Sequence, residues 1–194
     1  MGTAITISDK KRPARQKNHL TIGALIFPRM DQIDFTGPFE VLSRIPDSTI
    51  HVIAKTKSQV CDIQGLILTP EMSIAEAPEF DVLLVPGGYG QQQLMDDEEV
   101  LSLIRSHSAA GRLVFSVCTG ALLCGAAGVL RGRQATTHWS AWGTCCLVTG
   151  PHLFDRASSW MATWSPLPAL PLDSMPRWLS RRCCVGTQSP RKFN

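Results

Sequence analysis

The sequence predicts a doubly wound α/β fold, in which a mostly parallel sheet is flanked by helices. Two features of residues 19–142 indicate this fold. Short apolar runs, typical of buried parallel strands, alternate with segments of helical periodicity. Polar, glycine or cysteine residues follow three of these runs, and ligands bind in such sheets beyond the carboxyl ends of the strands. We therefore expect the functional site at that edge.

The first half of this region predicts three strands and a helix. His19–Phe27 is an apolar run closed by a proline, which indicates a first buried strand. A helix is expected to start at Thr36, as its cap, with Pro38 in the first turn. Thr49–Ala54 and Leu66–Thr69 then predict a second strand and a short third one.

The second half continues the alternation. Asp81–Val85 predicts a buried strand that ends at the Pro86–Gly88 turn. Asp96–Ala110 has the periodicity of an amphipathic helix. Leu113–Val117 predicts the next strand, and Thr119–Ala127 an apolar helix. Cys118 therefore falls at the turn between a buried strand and the start of a helix.

Cys118 is the candidate nucleophile. A sharp strand-to-helix turn exposes the sulfur, and the partial positive charge of the helix end favours the thiolate. The alternative is that Cys118 is a small buried hydrophobic residue, as most free cysteines are.

Three neighbouring features complete a candidate site. The Gly87-Gly88 turn allows backbone N–H groups to approach a reacting centre, and with the Thr119 N–H they could bind developing negative charge. Asp34 follows the first strand, where its carboxylate could exchange protons with the thiol, substrate or water. The alternatives are that Gly87-Gly88 is only a turn, that Asp34 caps a helix, and that Thr119 is a helix-start hydroxyl without chemistry.

Length and composition indicate one globular domain with atypical ends. The chain has 194 residues, of which 44% are hydrophobic and 18% charged. Residues 1–18 are basic and lack an apolar segment, so we expect a disordered extension and no secretory signal. No apolar run approaches the roughly 20 residues that cross a bilayer. Seven irregularly spaced cysteines indicate reduced thiols in the cytoplasm and lack zinc-site spacing.

Five sequence blocks together resemble the ThiJ/PfpI superfamily of class I glutamine amidotransferase-like proteins. The blocks are Phe27-Pro28, residues 34–42 (DFTGPFEVL), residues 81–88 (DVLLVPGG), residues 116–121 (SVCTGA) and residues 135–139 (ATTHW). The resemblance runs from about Leu20 to Trp142 and is sharpest to the isonitrile hydratase branch. That branch has aspartate at the position of Asp34, where others commonly have glutamate. Thr119 departs from the protease-like branches, which place histidine after the cysteine.

The resemblance implies addition of water to an organic isonitrile, giving an N-substituted formamide without metal or organic cofactor. In this scheme Cys118 attacks the terminal carbon, Asp34 shuttles a proton, and water hydrolyses the resulting thioimidate. His138 is either a residue at the edge of the site or a packed structural histidine, and we favour the structural role. The resemblance implies a small-molecule substrate and a homodimer. It implies neither a nucleic-acid partner nor a membrane.

Two other functions remain open. ThiJ/PfpI-like domains also occur as non-catalytic sensing modules before AraC-type DNA-binding domains, but no helix-turn-helix pattern follows residue 142 here. Glyoxalase or deglycase activity on reactive carbonyls is the third possibility. The aspartate at position 34 counts modestly against it.

Residues 143–194 break the family pattern and the composition. They contain 6 Lys+Arg and 2 Asp+Glu (net +4), whereas residues 1–142 contain 13 Lys+Arg and 14 Asp+Glu (net −1). Residues 143–194 also hold six of the 13 prolines. Regrouping the codons by one base recovers the expected family tail in order; Trp160-Met161-Ala162, for example, is forced to Asp-Gly. We therefore predict a frameshift between Trp142 and Thr144, with a rapidly diverged tail as the alternative. The C-terminal strands and helices are then expected to be missing or non-native, and the activity compromised.

Overall fold

A computed structural model of the chain describes residues 19–131 and 135–141, together with the backbone of residues 162–164. The expected extension at residues 1–18 and nearly all of the predicted aberrant tail lie outside the described residues. Within the described ranges, no helix combines the length and apolar character needed to cross a membrane.

The structure is an α/β fold built on a mostly parallel sheet, which confirms the predicted fold class. The strands are β1 (Leu20–Leu25), β2 (Ser48–Ala54), β3 (Val60–Cys61), β4 (Ile67–Leu68), β5 (Met72–Ser73), β6 (Val82–Val85), β7 (Leu113–Ser116) and β8 (Ala162–Trp164). The helices are α1 (Gln32–Leu42), α2 (Gln91–Leu94), α3 (Glu98–Ala109) and α4 (Gly120–Ala126), with 3₁₀ turns at Ile74–Glu76 and Trp139–Ala141.

Six strands form the main sheet in the order β5-β2-β1-β6-β7-β8. Neighbours from β5 to β7 are parallel, and β8 is antiparallel to β7. The chain moves outward from β1 to β2 and later returns to place β6 on the other side of β1. The strand order therefore reverses between β1 and β6, and in such sheets ligands bind beyond the carboxyl ends of the strands at this point.

The central strands are buried and hold this edge in place. Ile22 of β1 and Leu83 and Leu84 of β6 have no exposed surface, nor do Ile104 of α3 and Leu123 of α4. Helices α3 and α4 contact β7, and α1 contacts β1 and β6. Burying each such side chain stabilises the fold by about 1.5–3 kcal/mol. The loops after β1, β6 and β7 therefore emerge from a well-packed support.

The start of α1 differs from the prediction. The helix begins at Gln32, because the Asp31 side chain accepts a hydrogen bond from the Ile33 N–H and caps it. Thr36 is inside the helix, where its hydroxyl donates to the Gln32 carbonyl at 2.8 Å. Pro38 is also inside rather than in the first turn. The start predicted at Thr36 was therefore too late, because an aspartate earlier in the chain caps the helix.

Other element assignments also needed correction. The strand expected at Leu66–Thr69 is β4, which pairs with β3 in a separate antiparallel ladder, and β5 occupies the sheet position beside β2. The helix expected from Asp96 begins at Glu98, because the Asp97 side chain caps it. Of the C-terminal elements expected to be missing or non-native, one strand, β8, lies among the described residues, and its backbone pairs with β7. Without a partner, β7 would expose unpaired backbone groups at the sheet edge.

Candidate functional site

Cys118 lies at a strained turn just beyond β7. Its φ is 53°, a left-handed conformation that is uncommon for residues other than glycine. The Thr137 hydroxyl donates to the Cys118 carbonyl at 3.1 Å and thereby ties the turn to the segment before the second 3₁₀ turn. The side chain of Cys118 is half-buried. This strand-turn-helix geometry is the one in which a nucleophile is presented at the top of a sheet.

The environment of Cys118 favours the neutral thiol. Burial and then the charge of Asp34 raise the pKa of Cys118 to about 12, and the Thr119 N–H offsets this only in part. Desolvation and a neighbouring carboxylate therefore oppose the thiolate that the helix end is expected to favour. The thiol needs a base to become a nucleophile.

Asp34 is the candidate for that base. It lies in the first turn of α1 and is 4% exposed. Burial raises its pKa above the ordinary value and the charge of Asp31 adds to this, while hydrogen bonds from the Cys118 thiol and the Gly87 N–H lower it. The Oδ2 atom is buried without a hydrogen-bond partner among the described residues. Since Asp31 caps the helix, the alternative that Asp34 serves as its cap is wrong.

Gly87 allows the carboxylate and the Cys118 turn to meet. A Cβ atom at Gly87 would lie 2.7 Å from the Thr119 nitrogen and 2.8 Å from Asp34 Oδ2. Gly88 has a φ of +116°, and a Cβ there would lie 2.2 Å from the Asp31 nitrogen. The two glycines are therefore more than a turn, because the approach of three segments requires that they lack side chains.

Of the three backbone donors expected to bind negative charge, the Gly88 N–H already has an acceptor. The Gly87 N–H lies close enough to the Asp34 carboxylate to lower its pKa, and the Thr119 N–H lies close enough to the Cys118 sulfur to lower the pKa of the thiol. The Gly88 N–H donates to Thr119 Oγ1 at 2.9 Å. The Gly88 N–H is therefore occupied in this structure, and the oxyanion role of the Gly87 and Thr119 N–H groups stays a prediction. Thr119 contributes its side chain as well as its N–H.

His138 lies at the edge of the site. It is near enough to Asp34 to lower the pKa of that carboxyl, and its Nδ1 is 2.7 Å from the Ser140 hydroxyl. The structure therefore brings together all six residues that the sequence predicted: Cys118, Asp34, Gly87, Gly88, Thr119 and His138. Among the described residues, no cluster of three metal-ligating side chains occurs.

Sequence reasoning missed two residues. The charge of Asp31 raises the pKa values of both Asp34 and Cys118, and Thr137 anchors the nucleophile turn. Asp31 could have been found as an N-cap signal before the apolar positions of α1. Thr137 carries no local signal, because its contact joins residues 19 positions apart.

A comparison with known protein families gives the same assignment. The DJ-1/PfpI family matches residues 21–156. The chain belongs to the DJ-1/PfpI family. The match extends past Trp142, and the domain boundary expected there stays a prediction. The most similar structures include a THiJ/PfpI family protein from Pseudomonas syringae, with a TM-score of 0.66 and 30% identity over 69% of this chain and 56% of that one.

Similar curated proteins within the family differ in activity. An isonitrile hydratase from Pseudomonas putida is 48% identical over 62% of this chain and 53% of its own length. Protein/nucleic acid deglycase 2 from Escherichia coli is 30% identical over 59% of this chain and 69% of its own. The HTH-type transcriptional regulator GbdR from Pseudomonas aeruginosa is 26% identical over 75% of this chain and 40% of its own length. The chain thus spans about half of the hydratase.

Proposed function

We propose that this chain is an isonitrile hydratase-like hydro-lyase that converts an organic isonitrile and water into an N-substituted formamide. The observation that carries the proposal is the buried pair of Asp34 and Cys118, in which burial raises the pKa of both acidic groups. Such a pair can pass a proton between carboxylate and thiol with little change in solvation. The 48% identity to an isonitrile hydratase supports the choice of substrate.

The first half of the reaction forms a carbon–sulfur bond. The Asp34 carboxylate accepts the thiol proton of Cys118, and the resulting thiolate attacks the terminal carbon of the isonitrile. Asp34 then returns that proton to the same carbon, so the product is a neutral thioimidate. The unpartnered Oδ2 of Asp34 leaves one oxygen free to carry the proton.

The second half releases the product. Water adds to the thioimidate carbon as Asp34 accepts a proton from it, and Asp34 then passes that proton to the nitrogen. The carbon–sulfur bond then breaks, the hydroxyl proton leaves to form the formamide carbonyl, and sulfur regains a proton as the Cys118 thiol. One isonitrile and one water give one formamide, and both side chains return to their starting state.

The test is formamide formation from cyclohexyl isocyanide. We expect Cys118→Ala and Asp34→Asn each to reduce kcat by at least about 10²-fold, since both groups act on the reacting atoms. Cys61→Ser is the matched control, because Cys61 is an exposed free cysteine on β3 that the mechanism does not use. Full activity of the Cys118→Ala chain would contradict the proposal.

The other candidate functions make different predictions. A sensing module would bind an isonitrile or another small molecule without turnover, as the similarity to a transcriptional regulator suggests. A deglycase-type reaction passes through an oxyanion, and the Gly88 N–H that could bind one is occupied by Thr119 Oγ1. Saturable binding without formamide would favour the sensing module.

A further inference from the structure

We infer that the Thr119 hydroxyl is a reaction-specificity determinant: by occupying the Gly88 N–H, it suppresses carbonyl and acyl-transfer chemistry at Cys118. This inference deepens the proposed function and rests on it for the natural reaction. It follows from where one hydroxyl group lies relative to one backbone donor.

The contact is short and spans the site. The Gly88 N–H donates to Thr119 Oγ1 at 2.9 Å, between residues 31 positions apart. The loop after β6 cannot easily move away to free this donor. A Cβ on Gly88 would lie 2.5 Å from the carbonyl carbon of Met30, and the next residue but one, Gly90, donates its N–H to the Arg29 carbonyl at 3.0 Å. The donor and its acceptor are therefore held together by the surrounding backbone.

The occupied donor lies where an oxyanion would need it. Thr119 directly follows Cys118, and its N–H lies close enough to the sulfur to lower the pKa of the thiol. A tetrahedral intermediate on that sulfur would place its oxygen beside this turn, where two converging N–H groups normally stabilise it. Here the second donor, the Gly88 N–H, donates to the Thr119 hydroxyl instead. Removing one such donor costs acyl-transfer enzymes about 10²–10³ in kcat.

Isonitrile addition does not need this donor. Attack on the terminal carbon places charge on carbon, which Asp34 removes by delivering a proton, and no oxygen of the substrate takes part. The later addition of water brings its own protons, which Asp34 can accept. An occupied Gly88 N–H therefore leaves the proposed reaction possible while it penalises an ester or aldehyde substrate.

The experiment compares Thr119→Val with Thr119→Ser. Valine keeps the branched shape and removes the acceptor, whereas serine keeps the hydroxyl. The probe for acyl transfer is p-nitrophenyl acetate: the thiolate forms a bond to the acetyl carbon, p-nitrophenolate leaves with its electron pair, and water cleaves the thioester to acetate. Formamide formation from cyclohexyl isocyanide is measured in parallel on the full chain.

We expect Thr119→Val to raise kcat/KM for the ester by about tenfold or more, and Thr119→Ser to leave it near the unsubstituted value. Adding Cys118→Ala to Thr119→Val should abolish the gain. No rise in the valine variant would overturn the inference. If no variant hydrates the isonitrile but the valine variant gains esterase activity, the proposed function fails and the specificity role stands.

Amide hydrogen exchange at Gly88 provides a readout independent of catalysis. We expect slow exchange in the unsubstituted chain and in Thr119→Ser, and exchange at least about tenfold faster in Thr119→Val, because the N–H has lost its acceptor. Thr119→Ala serves as a second variant without the hydroxyl. Equal exchange in all four chains would show that the hydroxyl does not hold the donor.

Discussion

Gly87 is a position at which the site cannot accommodate a side chain. Gly87→Ala would place a methyl group 2.7 Å from the Thr119 nitrogen, closer than real Cβ atoms approach backbone. We expect hydration to fall by at least about 10²-fold, because the carboxylate and thiol are forced apart, and a shift of about 1 Å can cost that much. Gly37→Ala is the matched control in α1.

A Cβ at Gly37 meets nothing within 4 Å. This substitution should stabilise the chain by about 0.5–1 kcal/mol, as expected for glycine to alanine within a helix, and leave the rate unchanged. Rates are measured as formamide formation and stabilities by urea unfolding. A Gly87→Ala chain with normal turnover would mean that the close approach is not required for catalysis.

Asp34→Asn separates the reactivity of the thiol from catalysis. The charge of Asp34 is the second cause, after burial, of the raised pKa of Cys118. Removing it lowers the pKa of Cys118, so more thiolate is present at any pH below about 12 and iodoacetamide should alkylate Cys118 faster. Hydration should be lost at the same time, because the base is gone.

Alkylation of Cys118 is followed by peptide mass spectrometry at pH 8. Asp62→Asn is the control, since Asp62 is another buried carboxylate whose oxygen accepts from the Gln64 and Leu66 N–H groups in the β3–β4 turn. It should not change the rate. Slower alkylation in Asp34→Asn would show that proton acceptance by Asp34 outweighs the effect of its charge on the pKa of Cys118.

The sequence predicts which residues form the site better than it predicts the contacts between them. Cys118, Asp34 and Gly87-Gly88 follow predicted strands of one parallel sheet, so topology alone brings them to a common edge. The acceptor of the Gly88 N–H could not be predicted, because it depends on the rotamer of a side chain 31 positions away. The raised pKa of Cys118 could not be predicted, since the sequence shows the helix end but neither the burial nor the carboxylate contact.

At the scale of elements, α1 links helix capping to catalysis. Asp31 caps the helix, and its charge raises the pKa of Asp34 three residues later. Asp31→Asn preserves the cap, since asparagine caps as well as aspartate, and removes the charge. The pKa of Asp34 should fall. Because Asp34 must be ionised to accept the thiol proton, the acid limb of the pH–rate profile should move to lower pH.

The matched variant is Asp31→Ala, which removes both the charge and the cap. It should shift the acid limb in the same direction and also lower the free energy of unfolding by about 1 kcal/mol. The profile is measured as kcat for formamide formation between pH 4 and 8. An unshifted acid limb in both variants would mean that another group, and not Asp34, sets it.

Long elements were predictable where short ones were not. The apolar runs of β1, β2, β6 and β7 are long enough to predict a strand from the sequence. All four strands lie within a few residues of their predicted positions. Strands β3 and β5 have two residues each, too few to show a period. The equally short β4 was expected as a strand, but its antiparallel pairing with β3 is set by tertiary contacts. The start of α1 was misplaced because Asp31 and Thr36 both have capping side chains.

At the scale of the whole molecule, the remaining question is what completes the sheet beyond β7. The described chain adds only the three residues of β8 there. We propose that translation in the alternate frame from Gly143 supplies the family's own C-terminal elements. Each additional buried core side chain would stabilise the fold by about 1.5–3 kcal/mol. A few of them are comparable with the total stability of a typical domain, about 5–15 kcal/mol.

We therefore expect the frame-restored chain to unfold in urea at a higher midpoint and with a larger m value than the present chain, because m increases with the surface that unfolding exposes. The rate at which the chain hydrates cyclohexyl isocyanide should also be higher in the frame-restored chain. Restored chains with and without Cys118→Ala should unfold alike apart from small local effects, which assigns the gain to the fold and not to the site. Equal midpoints and m values for the restored and present chains would favour a diverged tail, because residues 143–194 would then already provide the packing that the restored sequence offers.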